Sequence, residues 1–373
     1  MANSTHSGRL ERWLGKDKLE SLSASMADWY GPPIAVAGVP GSVFIHKGGD
    51  FRGEIRDGFE MSVLDRAADC ARRLKRAARV ASARNRAQLN AGFTSLSDLI
   101  SEATSGSKQR EFMYQKVGVT GVIAATSTLW TAAGHPVAGS VSSAAPGGRA
   151  PTKATTGAIA YNNSTGGDTM HVVSSAFMGT ATGNQLLFYD RIFDVVKTMS
   201  STATEAVTGV PTRYQSAVTT ADDYAGGNFV FPEIVSLLGG TAHNWTVCTY
   251  TDQDGNTGAN LPSVTGLSAG IASRLDIPTG QWFCPLATGD FGIRNLTQMQ
   301  CSASVTGAVT FVIGHPLFFQ PCPLANVLSF VDNINTAFNL TRIFDNACIS
   351  ALEITKSVTT ATTYSGKFYT VSG

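Results

Sequence analysis

The chain has 373 residues, of which 15% are charged against about a quarter in a typical soluble protein, and 43% are hydrophobic. That is material for two lobes or one large elaborate domain, and it excludes a highly charged, free-standing monomer. The charge is uneven: residues 1–115 hold 17 Lys/Arg and 13 Asp/Glu, whereas residues 116–373 hold only 11 and 14. A surface so poor in charge tends to associate unless other subunits cover it.

Met1–Gly8 is polar and no apolar h-region follows, so no signal peptide is expected. No run of 18 apolar residues occurs, so no transmembrane helix and no membrane partner are expected. Residues 9–30 carry Leu10, Trp13, Leu14 and Leu19 at the spacing of a short amphipathic helix, which Gly31-Pro32-Pro33 ends. Residues 31–58 are Gly-rich, with one β-like run at Ser42–Ile45, and need a partner to order them.

Residues 59–90 have the clearest helical pattern. Leu64, Ala67, Ala71, Leu74, Ala78 and Ala81 recur at steps of three and four and form one narrow face. Arg72, Arg76 and Arg79 share another face, in a stretch with eight basic and three acidic residues. Such a face suits sequence-blind contact with a phosphate backbone, and equally suits solvent or a neighbouring subunit's carboxylates. After Gly92, a second helix is predicted from Ser97 toward Lys116, capped by Ser95 or Ser97.

Beyond Lys116, short β-like runs alternate with Gly, Pro, Asn and Asp turns. The strand-like runs are Val117–Thr128, His171–Phe177, Asn228–Phe231, Thr246–Tyr250, Ala308–Ile313 and Lys367–Val371. Residues 138–169 read as a long irregular loop, and Leu186–Met199 as one interrupting helix. Strands and helices do not alternate steadily, so a doubly wound fold is not expected. The cysteines, Cys70, Cys248, Cys284, Cys301, Cys322 and Cys348, form no C-x-x-C pair. Their even number leaves disulfides open, but burial as free thiols is the expectation.

Three patterns mimic chemistry. Gly266-Leu267-Ser268-Ala269-Gly270 matches a nucleophile elbow, with Asp290 and His315 following in hydrolase order. The elbow requires a buried strand before it, and Ala259-Asn260-Leu261-Pro262-Ser263 does not suit one. Asp252-Gln253-Asp254-Gly255-Asn256 resembles the start of a calcium loop, but Ser263 stands where the bidentate Glu belongs, so a polar turn between strands is expected. The six histidines have no ligand spacing, and no phosphate-cradling loop occurs. No catalytic residue, metal or cofactor is therefore expected, and the chain reads as a non-enzyme.

Several phrases resemble structural proteins of tailed bacteriophages. They are Leu186–Arg191, Lys197–Met199, Ala203–Tyr214, Trp245–Gln253, Leu296–Gln300 and Phe311–Pro316. The size is similar to that of a major capsid protein. This resemblance implies an α+β fold of the tailed-phage major-capsid type, with an N-terminal arm and extended loop (1–58), a helical segment with a spine-like helix (59–116) and β-rich peripheral and axial lobes (117–373). It further implies assembly in the host bacterial cytoplasm of an icosahedral shell of hexamers and pentamers. Other virion proteins would be partners, packaged DNA would be met without specificity, and Arg72, Arg76 and Arg79 would face either that DNA or a neighbouring subunit. A capsid decoration or tail component is the alternative.

Overall fold

The computed structural model describes residues 34–35, 42–43, 93, 95–105, 108–118, 124–164, 168–213, 227–334, 341–355 and 361–373. The chain divides into two compact units, Met1–Arg76 and Ala77–Gly373. In the first, β1 (Ile34–Ala35) pairs antiparallel with β2 (Ser42–Val43), within the stretch expected to hold one β-like run. The predicted helices over 9–30 and 59–90, with Arg72, Arg76 and Arg79, lie outside the described residues.

The second unit contains one described helix, α1 (Leu96–Ser105). Its strands are β3 (Gln109–Val117), β4 (Thr126–Thr128), β5 (Gly134–His135), β6 (Met170–Gly179), β7 (Gln185–Lys197), β8 (Glu205–Ala206), β9 (Phe229–Ser236), β10 (Asn244–Asp252), β11 (Thr257–Asn260), β12 (Val264–Thr265), β13 (Ile293–Cys301), β14 (Ala308–Pro321), β15 (Ser329–Asp332), β16 (Thr341–Ile343), β17 (Ile349–Ile354) and β18 (Thr363–Ser372). The α+β class is thus corrected: the described residues are mostly β-sheet with one short helix, and they do not support a capsid-type fold built on a long helix. None of these helical residues forms a span long and apolar enough to cross a membrane.

The strands form three antiparallel sheets. The first runs β15-β6-β18-β3-β5, with β16 also on β6; the second runs β4-β17-β7-β14-β9; the third runs β11-β10-β13-β8, with β12 on β10. The second sheet is shared by two cores. Its Leu186, Phe188 and Phe318 pack with Phe112, Tyr114, Phe177 and Phe368 of the first sheet. Its Leu187, Tyr189, Phe193, Val195 and Phe311 pack with Trp245, Tyr250, Leu296 and Met299 of the third.

This two-sided burial explains why Leu186–Met199 does not form the predicted helix. A strand covered on both faces carries a continuous apolar run, and periodicity alone does not separate such a run from a buried helix. Its aromatic and β-branched residues favour the pleated sheet. The pairing of β7 with β14 slips at Ile192, which lies unpaired between Arg191 opposite Gly314 and Phe193 opposite Ile313. Such a bulge re-aims the side chains beside it.

The predicted second helix is also shorter than expected. Ser95 caps α1, its Oγ accepting from the Asp98 N–H at 3.1 Å. The helix ends at Ser105. Residues 109–117 instead alternate, with Phe112, Tyr114 and Lys116 buried and Glu111, Met113 and Gln115 exposed. Pairing along all nine residues with β18 fixes this period of two. The residues between β5 and β6 are irregular, as expected, but they are tied to β7 by bridges at Ala144–Val196 and Arg149–Asp194.

Candidate functional site

An unusual share of the second unit's charge is turned inward. Residues 116–373 hold 25 charged residues, and among the described ones nine are buried: Lys116, Asp190, Arg191, Asp194, Lys197, Glu233, Asp252, Asp276 and Glu353. Charged side chains are almost never fully buried unless they are paired.

Strand β7 organises the pairing. The Arg191 Nε donates to Asp194 Oδ2 at 2.7 Å and Nη1 to Glu233 Oε2 at 2.8 Å. Asp194 is also gripped by Arg149, whose Nε and Nη2 reach Oδ1 and Oδ2 at 3.0 and 2.7 Å. The guanidinium carbon of Arg191 lies 4.6 Å from the centre of the buried Trp130 ring, and that of Arg149 lies 5.7 Å from it. Asp190 accepts from Arg213 Nη2 at 2.9 Å and from the Cys348 N–H at 2.8 Å. Lys197 places its three donors on Thr198 O, Ser201 O and Glu205 Oε1 at 2.7–2.9 Å. Burial alone would pull the Arg191 pKa down, but the Glu233 and Asp194 carboxylates hold it well above its ordinary value. Burial likewise works to raise Asp194, and Arg191 and Arg149 overcome it, so its pKa is lowered.

Glu353 is different because no cation among the described residues answers it. Its Oε1 accepts from Tyr364 Oη, from Asn184 Nδ2 at 3.2 Å and from Thr355 Oγ1 at 3.4 Å. Its buried Oε2 has no described partner and faces Gly118, where a Cβ would overlap it. Burial pushes the Glu353 pKa up to about 7, against the opposing hydrogen bonds from Tyr364 and Thr355.

A third buried group joins the third sheet to the loop before β13. Asp276 accepts from His243 Nε2 at 2.8 Å, Trp245 Nε1 at 3.0 Å and the Leu267 N–H at 2.6 Å. The hydrogen bond to Asp276 raises the His243 pKa.

While charges are turned inward, apolar side chains are turned outward. Sixteen large hydrophobics are exposed among the described residues, including Met113, Phe283, Phe291, Phe319, Leu328 and Phe330. Scattered single residues of this kind are ordinary, whereas a contiguous group marks an interaction surface.

No protein-family model matches the chain, and no curated relative matches it. Among solved structures, the infectious bursal disease virus VP2 subviral particle is 8% identical, with 73% of this chain and 86% of that one covered and a TM-score of 0.17. The structure of the Gt strain of the same virus is 8% identical over 74% and 86%, with a TM-score of 0.15. These weak neighbours are virus-particle proteins, and at such scores the likeness carries no argument.

The hydrolase-like residues are not assembled. Ser268 lies exposed on a turn. Asp290 accepts from Tyr250 Oη, and buried His315 meets Asn228 Oδ1 through Nδ1 at 2.9 Å. No described hydrogen bond joins any two of the three. Burial, with Arg213 nearby, pushes the His315 pKa down to about 3, so its ring is neutral near pH 7.

The calcium-like run is the turn between β10 and β11. Asp252 Oδ2 accepts from Asn256 Nδ2, and its Oδ1 from the Asp254 and Asn256 N–H groups, all at 2.8 Å, and these bonds, the Asn256 side chain's foremost, lower its pKa. Gly255 takes a φ of +92° there. Among the described residues, no group of three or more His, Cys, Asp or Glu could hold a metal. The five described cysteines are free and buried.

Sequence reasoning missed the network on β7. Its only sequence signal was acidic and basic residues at 190, 191, 194 and 197 inside an apolar run, which as a strand must be paired rather than solvated.

Proposed function

We propose that the chain is a structural subunit that assembles with copies of itself into a virus shell. The observation that carries this reading is the burial of charge alongside exposed apolar surface. Nine charged side chains are turned inward, most of them onto internal partners, and large apolar side chains are left outside, which suits a surface that other subunits cover. The finer reading is a tailed-phage capsid protein, supported by the phrases between Leu186 and Pro316 named above. On this reading the protein resides in the virion, and its partners are itself, other virion proteins and packaged DNA, with Arg72, Arg76 and Arg79 facing the DNA or a neighbouring subunit. No catalytic residue is assigned.

The test is sedimentation velocity with negative-stain imaging of the purified chain. Closed shells or large regular oligomers are expected. A monomer stable at high concentration overturns the proposal. For the arginines, replacing all three by Gln should reduce the salt slope of DNA retention by roughly one unit for each phosphate no longer neutralised. An unchanged slope removes them from the DNA interface.

A further inference from the structure

The exposed apolar side chains are densest between Leu324 and Ile334. Leu324, Val327, Leu328, Phe330 and Ile334 are 58%, 48%, 52%, 68% and 40% exposed. The segment contains β15, which pairs with β6 on one side, from Ser329 opposite Phe177 to Asp332 opposite Ser174. Among the described residues no strand pairs with its other side.

The backbone of this ribbon is fixed at several points. The Asn326 N–H donates to Gly179 O at 2.8 Å, and the Asn333 N–H to Val173 O at 2.9 Å. Ser329 Oγ donates to Pro321 O and accepts from Gln320 Nε2, both at 2.9 Å. Asn333 Nδ2 adds a bond to Val172 O at 3.2 Å. The apolar side chains are therefore held outward by a built scaffold and do not belong to a slack loop.

Two further features separate the ribbon from an ordinary solvent edge. Exposed edges are normally blunted by Lys, Glu, Pro or a bulge. Here residues 324–334 contain no Lys, Glu or Pro and one charge, Asp332, and the β15 pairing has no register shift. Together the five residues leave roughly 500 Å² of surface in water. One side of a standard interface buries about 800 Å², which is of the same order.

We propose that residues 324–334 are a docking surface for a second copy of this chain. This rests on the self-assembly reading above and identifies one of the surfaces it uses. The open edge of β15 supplies backbone groups for pairing, and Phe330 and Leu328 supply the central apolar anchors.

Two measurements on the full chain test this. In the first, Leu328→Asp with Phe330→Asp is compared with wild type by sedimentation velocity. Because both residues are exposed, the circular dichroism spectrum and melting temperature should hold while the concentration for half-assembly rises at least about tenfold. The second needs no substitution: hydrogen exchange of wild type across a dilution series should show the amides of Phe330 and Asp332, which alternate with the β6-bonded Asn333 N–H and so face the open edge, protected only as copies associate. Assembly by wild type with unchanged assembly by the double variant, or with these amides unprotected, overturns the docking surface alone. Protection that is complete in the monomer means that the same chain covers the ribbon, and it overturns the proposal too. A wild-type chain that never associates overturns the self-assembly reading, and this surface with it.

Discussion

Replacing Glu353 by Gln tests the buried carboxyl directly. Folding moves this group from its ordinary pKa of 4.5 to about 7. A raised carboxyl binds its proton more tightly in the folded state, so its effect is absent below pH 4.5, where both states are protonated. Between pH 4.5 and 7 the unfolded state ionises first, and the folded state loses about 1.4 kcal/mol per pH unit. Above pH 7 the penalty levels off at about 3 kcal/mol. Gln keeps a carbonyl for Tyr364, Asn184 and Thr355 but does not ionise. It places an amide against Gly118, where Oε2 has no described partner, and that adds an offset independent of pH. The diagnostic quantity is therefore the change with pH. Denaturant unfolding of both proteins at pH 4.5, 6, 7 and 8 should show the variant gaining about 3 kcal/mol relative to wild type between the first and last. A difference that stays flat across this range would refute the reasoning, because it would mean that Glu353 titrates near its ordinary value.

Arg191→Ala strips the partner from Asp194 and Glu233 inside the second core and should destabilise the fold by about 3–5 kcal/mol, measured as a fall in the denaturant midpoint. Gly139→Ala drives a Cβ into the Trp130 ring and should cost about 1–3 kcal/mol, with a shift in tryptophan emission as the ring moves. Asp276→Asn should lower the His243 titration midpoint followed by NMR. The raised folded-state pKa of His243 contributes stability below about pH 6.5 and loses it as pH rises through the folded value. The stability gap between wild type and Asp276→Asn should accordingly be wider at pH 5.5 than at pH 8.

The sequence carried the β-rich character of 117–373 through its turn residues and short β-like runs, and five of the six predicted runs fall in or across β6, β9, β10, β14 and β18. It carried the Ser95 cap because a capping hydroxyl acts over three residues. It did not carry the state of 109–117, whose Glu, Met, Gln and Lys are good helix formers; tertiary pairing with a strand roughly 250 residues away outweighs that preference. Nor did it carry β7, because a second covered face removes the alternation that marks a strand. The low charge count was legible, but the inward placement of nine charges depends on which strands meet. Ser268, Asp290 and His315 matched a linear pattern whose chemistry requires proximity, whereas Asp290 is bonded to Tyr250, His315 to Asn228, and Ser268 lies exposed on a turn. Arg72, Arg76 and Arg79 lie outside the described residues and stand on their sequence pattern alone.

The place of β18 in its sheet sets the timing of folding. Residues 363–372 lie between β6 and β3, bonded to both along nearly their whole length. That sheet cannot close until this stretch has been synthesised, and β3 and β6 wait meanwhile with open edges. Pairings this distant in sequence make folding slow. They also delay the fixing of the ribbon at 324–334, since the β6 strand that carries it is itself secured by β18. Until β18 is in place, the unpaired edges of β3 and β6 favour association of incomplete chains, so prompt completion of this sheet protects the chain from it.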